Sequence, residues 1–171
     1  MSAPINTIRL ASLEDIPTIQ NLANEIWHAV YPGIISTKQI NYMLRWMYAE
    51  EQIRQDMVEA GAKYFLLKFE QKPIGFGAFG PDEETPTAKL HKLYLKPNYH
   101  GRGLGTRLLL HIEAEAEQQG FVKIRLQVNK NNTGAIKAYH RNGYKTEREA
   151  IFDIGDGYVM DDFIMVKNLI A

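Results

Sequence analysis

The spacing of apolar residues changes repeatedly along the chain, and each change marks a new element. Ile5 to Leu10 alternates well enough to predict a strand. Ser12-Leu13-Glu14-Asp15 then reads as a helix start, with Ser12 as the cap and two acids in the first turn, so a helix from about Asp15 to Ala29 is expected. Pro32 and Gly33 break it. Helical spacing resumes at Ser36 or Thr37 through Ile40, Met43, Leu44 and Met47, and a further helical stretch covers Glu50 to Glu59 before Gly61.

The middle of the chain turns to strands. Tyr64 to Phe69 and Pro73 to Phe79 are β-rich runs joined by Glu70-Gln71-Lys72, a hairpin pattern, and Lys89 to Leu95 makes a third strand that stops at Lys96-Pro97-Asn98. From Gly101 to Gln119 the period is helical, with Leu104, Leu108, Leu109, Ile112 and Ala116 on one face and Gly120 at the end. Lys123 to Val128 is the next strand and Thr133 to Arg141 the next helix. Tyr144 to Phe152 and Tyr158 to Lys167 close the sequence as strands around a loop from Asp153 to Gly157. This order predicts an α/β (α+β) fold, a mixed sheet with helices on both faces.

With 171 residues and 45% hydrophobic content the chain suits one domain, 1–171, with a sizeable core. Basic and acidic residues both total 20, so no net field draws nucleic acid or an anionic membrane surface, and neither partner is expected. Met1 to Leu10 lacks a basic segment leading into an apolar run, and no stretch approaches the roughly 18 apolar residues of a membrane span, so the expected location is cytoplasmic. The absence of cysteine rules out an acyl-cysteine intermediate and thiolate metal sites. His28, His111 and His140 also lack ligand spacing, so no metal is expected.

The most informative segment is His100-Gly101-Arg102-Gly103-Leu104-Gly105-Thr106, which follows a strand and opens a helix. Backbone N–H groups and the helix dipole make an anion site there, and glycines let main-chain donors approach a pyrophosphate. A P-loop would need Gly-Lys-Ser/Thr, but Gly105 is followed by Thr106-Arg107. A dinucleotide fold would need a third glycine where Thr106 stands, and an acid at the end of a second strand.

Leu93 to Thr106 resembles motif A of the GNAT superfamily of N-acetyltransferases, Gln/Arg-x-x-Gly-x-Gly/Ala, departing only at His100. Asn132-Thr133-Gly134-Ala135 through Tyr139 to Gly143-Tyr144 resembles its motif B, at the usual separation. The resemblance implies the GNAT fold, a mostly antiparallel sheet of about seven strands, and direct transfer of acetyl from acetyl-CoA to an amine. By the same resemblance Leu93, Tyr94, Leu95, His100, Gly101, Arg102, Gly103, Leu104, Gly105, Thr106 and Asn132 hold the cosubstrate. Backbone amides at Leu95 and Leu93 would stabilise the oxyanion, and Tyr139 would give a proton to the leaving thiolate. His91, aligned with a histidine or glutamate of relatives, is the candidate base, directly or through water. Asn132 also fits a helix cap. Arg107, Lys137 and Arg141 lie near the same track, but long basic side chains on helices usually point to solvent.

The segment Gly155 to Met165 looks like the end of bacterial spermidine/spermine acetyltransferases, and Glu147, Glu149, Asp153, Asp156, Asp161 and Asp162 gather around the last hairpin. A polyamine or other small cationic amine is therefore expected as a partner, held by carboxylates such as Asp156 or Asp161; association as a homodimer is compatible with the resemblance. Two readings compete with this: a peptide or protein N-acetyltransferase, which needs an open groove, and a non-catalytic acetyl-CoA-binding module. The aromatic set Trp27, Tyr31, Tyr42, Trp46 and Tyr48 reads as core for the most part, with acceptor wall as the alternative.

Overall fold

The structure, a computed structural model, describes residues 5–170; residues 1–4 and 171 of the expected domain lie outside them. Strands β1 (Asn6–Leu10), β2 (Lys63–Phe69), β3 (Lys72–Pro81), β4 (Thr87–Leu95), β5 (Lys123–Asn129), β6 (Lys145–Gly155) and β7 (Tyr158–Asn168) form one sheet in the order β1-β2-β3-β4-β5-β7-β6. All neighbours are antiparallel except β4 and β5. The helices are α1 (Ile16–Val30), α2 (Thr37–Met47), α3 (Glu50–Val58), α4 (Leu104–Gln118) and α5 (Thr133–Arg141). The expected mixed sheet is present.

Its two faces bury separate cores. On one, Ile19, Ile26 and Trp27 of α1, Ile40 and Met43 of α2 and Ile53 of α3 pack on Tyr64, Leu66, Phe76 and Ala78. On the other, Leu108, Leu109 and Ile112 of α4 pack on Phe65, Leu67, Leu90 and Ile124. Closure of α4 depends on Gly77, where an added Cβ would come within 2.5 Å of Ile112 Cδ1.

Several boundaries differ from expectation for local reasons. Leu13–Asp15 forms a 3₁₀ turn and α1 starts only at Ile16, because the Asp15 carboxylate folds back to accept from the Ser12 amide at 2.8 Å. The helix expected from Gly101 starts at Leu104, since Gly101 and Gly103 hold φ of 76° and 75°, a left-handed backbone that glycine adopts freely. The expected Asp153–Gly157 loop is mostly strand: Asp156 and Gly157, at φ of 54° and 80°, make a two-residue turn directly between β6 and β7.

One irregularity shapes the site. Opposite β3, Ala78 pairs with Lys92 while Phe79 pairs with Leu90, which leaves His91 as the extra residue of a β-bulge. Side-chain parity flips there. Ala88 and Leu90 face the α4 core, as Leu93 and Leu95 do beyond the bulge, while Lys92 and Tyr94 face the α1 side.

Candidate active site

Parallel pairing between β4 and β5 covers only Thr87–Leu90 against Lys123–Leu126, and beyond it the two strands part. The gap opens into a cleft of about 1000 Å³. Leu93, Tyr94 and Leu95 line it from one side, Gln127, Val128 and Asn129 from the other. A strand end without its ladder leaves backbone amides free to meet a ligand.

One arm of the cleft runs to the glycine turn. His100, Gly101, Gly103, Gly105 and Thr106 line it together with Asn132, Gly134 and Ala135 at the start of α5. A Cβ built at Gly101, Gly103 or Gly134 meets nothing within 4 Å, so the space in front of these residues is open to a ligand. This arrangement at the N-terminus of α4 fits a pyrophosphate. His100 Nε2 donates to the Leu95 carbonyl at 2.9 Å and thereby ties the turn to the end of β4. Asn132 caps α5, its Oδ1 accepting from the Ala135 amide at 3.4 Å, and also stands on the cleft wall. Two expected members stand apart from the wall. The Arg102 guanidinium lies over the rings of Tyr99 and Phe69, at 5.3 and 5.9 Å, and Leu104 is buried in the α4 core. Of the neighbouring cations, Arg107 bonds Asn6, whereas Arg141 lines the cleft.

At the throat three phenols converge. Tyr31 Oη and Tyr94 Oη are 3.4 Å apart, and the half-buried Tyr139 ring rests edge-on against Tyr144 with centroids 5.5 Å apart. Burial pushes the Tyr139 phenol well above its ordinary value, with Tyr31 adding to the shift, so it stays protonated at any ordinary pH. His91 lines the cleft from the bulge. The residue is exposed on the cleft side, but the protein around it disfavours the imidazolium. That desolvation, reinforced by Lys92 and Lys89 against the weaker pull of Asp56 and Asp82, holds the ring down at about 4. His91 is therefore neutral at neutral pH.

The other arm lies between the first helices and the last hairpin. Trp27 and Tyr31 of α1, Met43, Trp46 and Met47 of α2, and Phe152, Ile154, Met160 and Asp162 of β6 and β7 make its walls. The aromatic set expected to be mostly core is thus divided: Trp27, Tyr31 and Trp46 reach the cleft, while Tyr48 is buried behind them. Two hydrogen bonds hold the arm shut along one side. Gln39 Nε2 donates to the Val159 carbonyl at 2.9 Å and Tyr42 Oη to the Ile154 carbonyl at 2.7 Å, and Tyr42 packs on Tyr158 with centroids 5.1 Å apart.

The acids expected to face the acceptor are mostly engaged elsewhere. Glu147 meets Arg125 at 3.4 Å, Glu149 and Asp161 meet Lys130 at 3.2 and 2.8 Å, and Asp153 accepts from the Gly155 amide. Asp156 sits in the turn, off the cleft wall. The reason is strand parity: Asp161 and Asp162 point to opposite faces, so only Asp162 reaches the cleft. Among the described residues it is the one carboxylate on the wall. The alternation Met160-x-Asp162-x-Ile164 is the sequence signal that singles it out.

Residues 21–144 match the model of the Acetyltransferase (GNAT) family. The chain is 32% identical over 164 residues to a spermidine N(1)-acetyltransferase of Thermoplasma acidophilum, covering 94% of this chain and 96% of that one. It superposes on the crystal structure of the PaiA N-acetyltransferase of Thermoplasma acidophilum in complex with coenzyme A with a TM-score of 0.81 at 30% identity, covering 96% and 99% of the two chains. The Escherichia coli ribosomal-protein-S18-alanine N-acetyltransferase shares the fold, with a TM-score of 0.74 at 22% identity over 98% and 96%. With the family match spanning the split strands, the glycine turn and α5, and a relative this similar over nearly its whole length, the chain belongs to the GNAT family of acetyltransferases, enzymes whose cosubstrate is acetyl-CoA.

Proposed function

We propose that this enzyme acetylates a primary amine of a small cationic acceptor, of the polyamine class, by direct attack on the thioester. The latch between α2 and the β6–β7 hairpin carries this reading. Bonds from Gln39 and Tyr42 to hairpin carbonyls close the flank along which a peptide would have to lie, leaving a pocket instead of a groove. The likeness to a spermidine acetyltransferase supports the same class. The family match ends at residue 144, so the hairpin walling the acceptor arm lies outside it.

Each step has a residue at hand. The glycine turn from Gly101 to Thr106 and the α5 start at Asn132 hold the coenzyme, whose thioester supplies the carbonyl carbon and the leaving thiolate. The backbone at Leu93 and Leu95, freed by the split from β5, meets the oxyanion as the C–N bond forms. Tyr139, protonated and facing the cleft, gives its proton to the thiolate as the C–S bond breaks. His91 receives the proton of the amine through water. An imidazole held near 4 is too weak a base to strip an alkylammonium, so the amine attacks as the neutral fraction that solvent equilibration supplies. The neutral ring takes through an ordered water the proton that the nitrogen sheds once attack on the carbonyl has made it acidic, and passes it on to solvent. A panel of spermidine, spermine, arylalkylamines and short peptides, followed by thiol release, tests the proposal. Preference for polyamines by about tenfold or more in kcat/KM is expected, and a preference for peptides overturns it.

A further inference from the structure

Asp162 is a costly residue where it stands. It is 3% exposed, its Oδ1 has no hydrogen-bond partner, and it lines the acceptor arm. A buried carboxylate without a donor carries its full desolvation penalty, so such a group persists where a ligand completes it. Its surroundings define that ligand. Register sets Asn129 on one side and Ala150 on the other, and Met160 shares its face of β7. Across the arm stand the phenol of Tyr31 and the indole of Trp27. The charged groups nearest to it, Asp161 and Lys130, are bound to each other at 2.8 Å and do not line the cleft. Apolar and aromatic walls around a single anion suit an ammonium on a methylene stem.

Resting on the small-amine reading above, we infer that Asp162 is the carboxylate that anchors an ammonium group of the acceptor, and that the acids at the hairpin tip have no part in binding. The anchor holds a nitrogen that stays charged. A carboxylate beside the reacting nitrogen would favour its protonated form and oppose attack, so the group at Asp162 is the acceptor's distal ammonium. The hairpin acids are already paired or turned to solvent, and one anion in the arm recognises one cation.

Burial also explains why the arm can select. In the apolar arm a neutral alkyl tail would leave Asp162 uncompensated, so a monoamine of the same length binds worse than a diamine. A charge-assisted hydrogen bond lost on binding corresponds to roughly a 10- to 100-fold change in affinity.

The test compares the parent with Asp162→Asn and with the double variant Asp156→Asn/Asp161→Asn. Kinetics use spermidine, 1,4-diaminobutane and n-butylamine, and the melting temperature is read with coenzyme A, with and without spermidine. Asp162→Asn is expected to raise KM for spermidine and the diamine 10- to 100-fold while changing kcat less, and to abolish the spermidine-dependent rise in melting temperature. The coenzyme A shift should be kept, and the apo protein at neutral pH should be at least as stable as the parent. It should also erase the parent's preference for the diamine over butylamine, and the double variant should stay within about twofold of the parent. Unchanged KM in Asp162→Asn, with an active parent, overturns the anchor alone. A parent that acetylates peptides and no polyamine overturns the acceptor reading and the anchor with it.

Discussion

Tyr42 Oη donates to the Ile154 carbonyl at 2.7 Å, and this bond fastens the first helical pair to the last hairpin across more than 100 residues of chain. Its loss should loosen the acceptor arm without touching the coenzyme side. In Tyr42→Phe the Ile154 carbonyl loses its donor while the ring still packs on Tyr158, a change of about 1 kcal/mol in the latched state. The expected outcome is a roughly fivefold rise in KM for small amines, an unchanged Kd for acetyl-CoA, and a higher rate with peptides than the parent shows. Steady-state kinetics with both acceptor classes checks it. A variant with parental KM would mean that the latch does not shape the arm.

The glycine turn needs a variant that blocks the ligand without straining the backbone. Gly103 is unsuitable because its φ of 75° penalises any side chain whatever the ligand does. Gly105 lies inside α4, and a Cβ there meets only Leu95 Cδ2, at 3.9 Å, in ordinary contact. Gly105→Ala should therefore fold at least as well as the parent. In the parent, coenzyme A at about 100 times its Kd stabilises by about 2.7 kcal/mol, which is roughly 5–10 °C in a chain of this size. Gly105→Ala should keep most of that shift, because the motif admits alanine at this position, whereas the bulkier Gly105→Val should lose it in a thermal melt; a full shift in Gly105→Val would move the pyrophosphate elsewhere.

For Tyr139, the raised phenol means the proton needed by the thiolate is present across the whole working range. Tyr139→Phe keeps the edge-on packing with Tyr144 and removes only the hydroxyl. We expect kcat to fall by roughly 100-fold with Kd for acetyl-CoA within twofold. In the parent, no loss of rate from tyrosine ionisation should be seen below about pH 10. Single-turnover measurements, which isolate the chemical step, decide whether the hydroxyl acts in it.

Where short-range pattern sets structure the sequence carries it openly, and where strand parity does it stays hidden. Helical spacing in Leu104, Leu108 and Leu109, and the β–glycine–α succession before it, mark the turn that lines one arm of the cleft. The bulge at His91 was hidden because the run Leu90-His91-Lys92-Leu93 reads as an unbroken strand. Yet Leu90 and Leu93, three apart and on one face, already violate a period of two. Similarly, counting acids near the last hairpin located the charge but not its direction. Parity assigns Asp161 to Lys130 and Asp162 to the cleft, and no compositional argument separates two adjacent aspartates. Tyr31 and Tyr94 meet across 63 residues, a juxtaposition that only the completed sheet creates.

Two buried groups of opposite tendency give the apo protein a pH signature. Asp162 is pushed up to about 6, first by burial and then by Asp161, against a smaller pull from Lys130. Between about 4 and 6 the folded protein holds this proton more tightly than the unfolded chain does, so Asp162 makes folding less favourable as pH rises through that window. His91 acts the other way. Its folded value near 4 lies below its ordinary 6.5, so the unfolded chain takes the proton first and stability is lost as pH falls from about 6.5 towards 4. The two slopes oppose each other, so their sum is close to flat in the parent and each variant exposes one. Asp162→Asn should gain on the parent as pH rises from 4 to 6 and hold that gain above. Two pKa units correspond to about 3 kcal/mol, reduced to about 1–2 kcal/mol by solvent screening in the cleft, or several degrees of melting temperature. His91→Gln should gain on the parent in the opposite direction, as pH falls below about 6.5. Melting temperatures of the three proteins without coenzyme, from pH 4 to 7.5, measure both. Parallel curves for parent and Asp162→Asn would mean that the carboxylate is already satisfied in the apo protein and has no need of an ammonium.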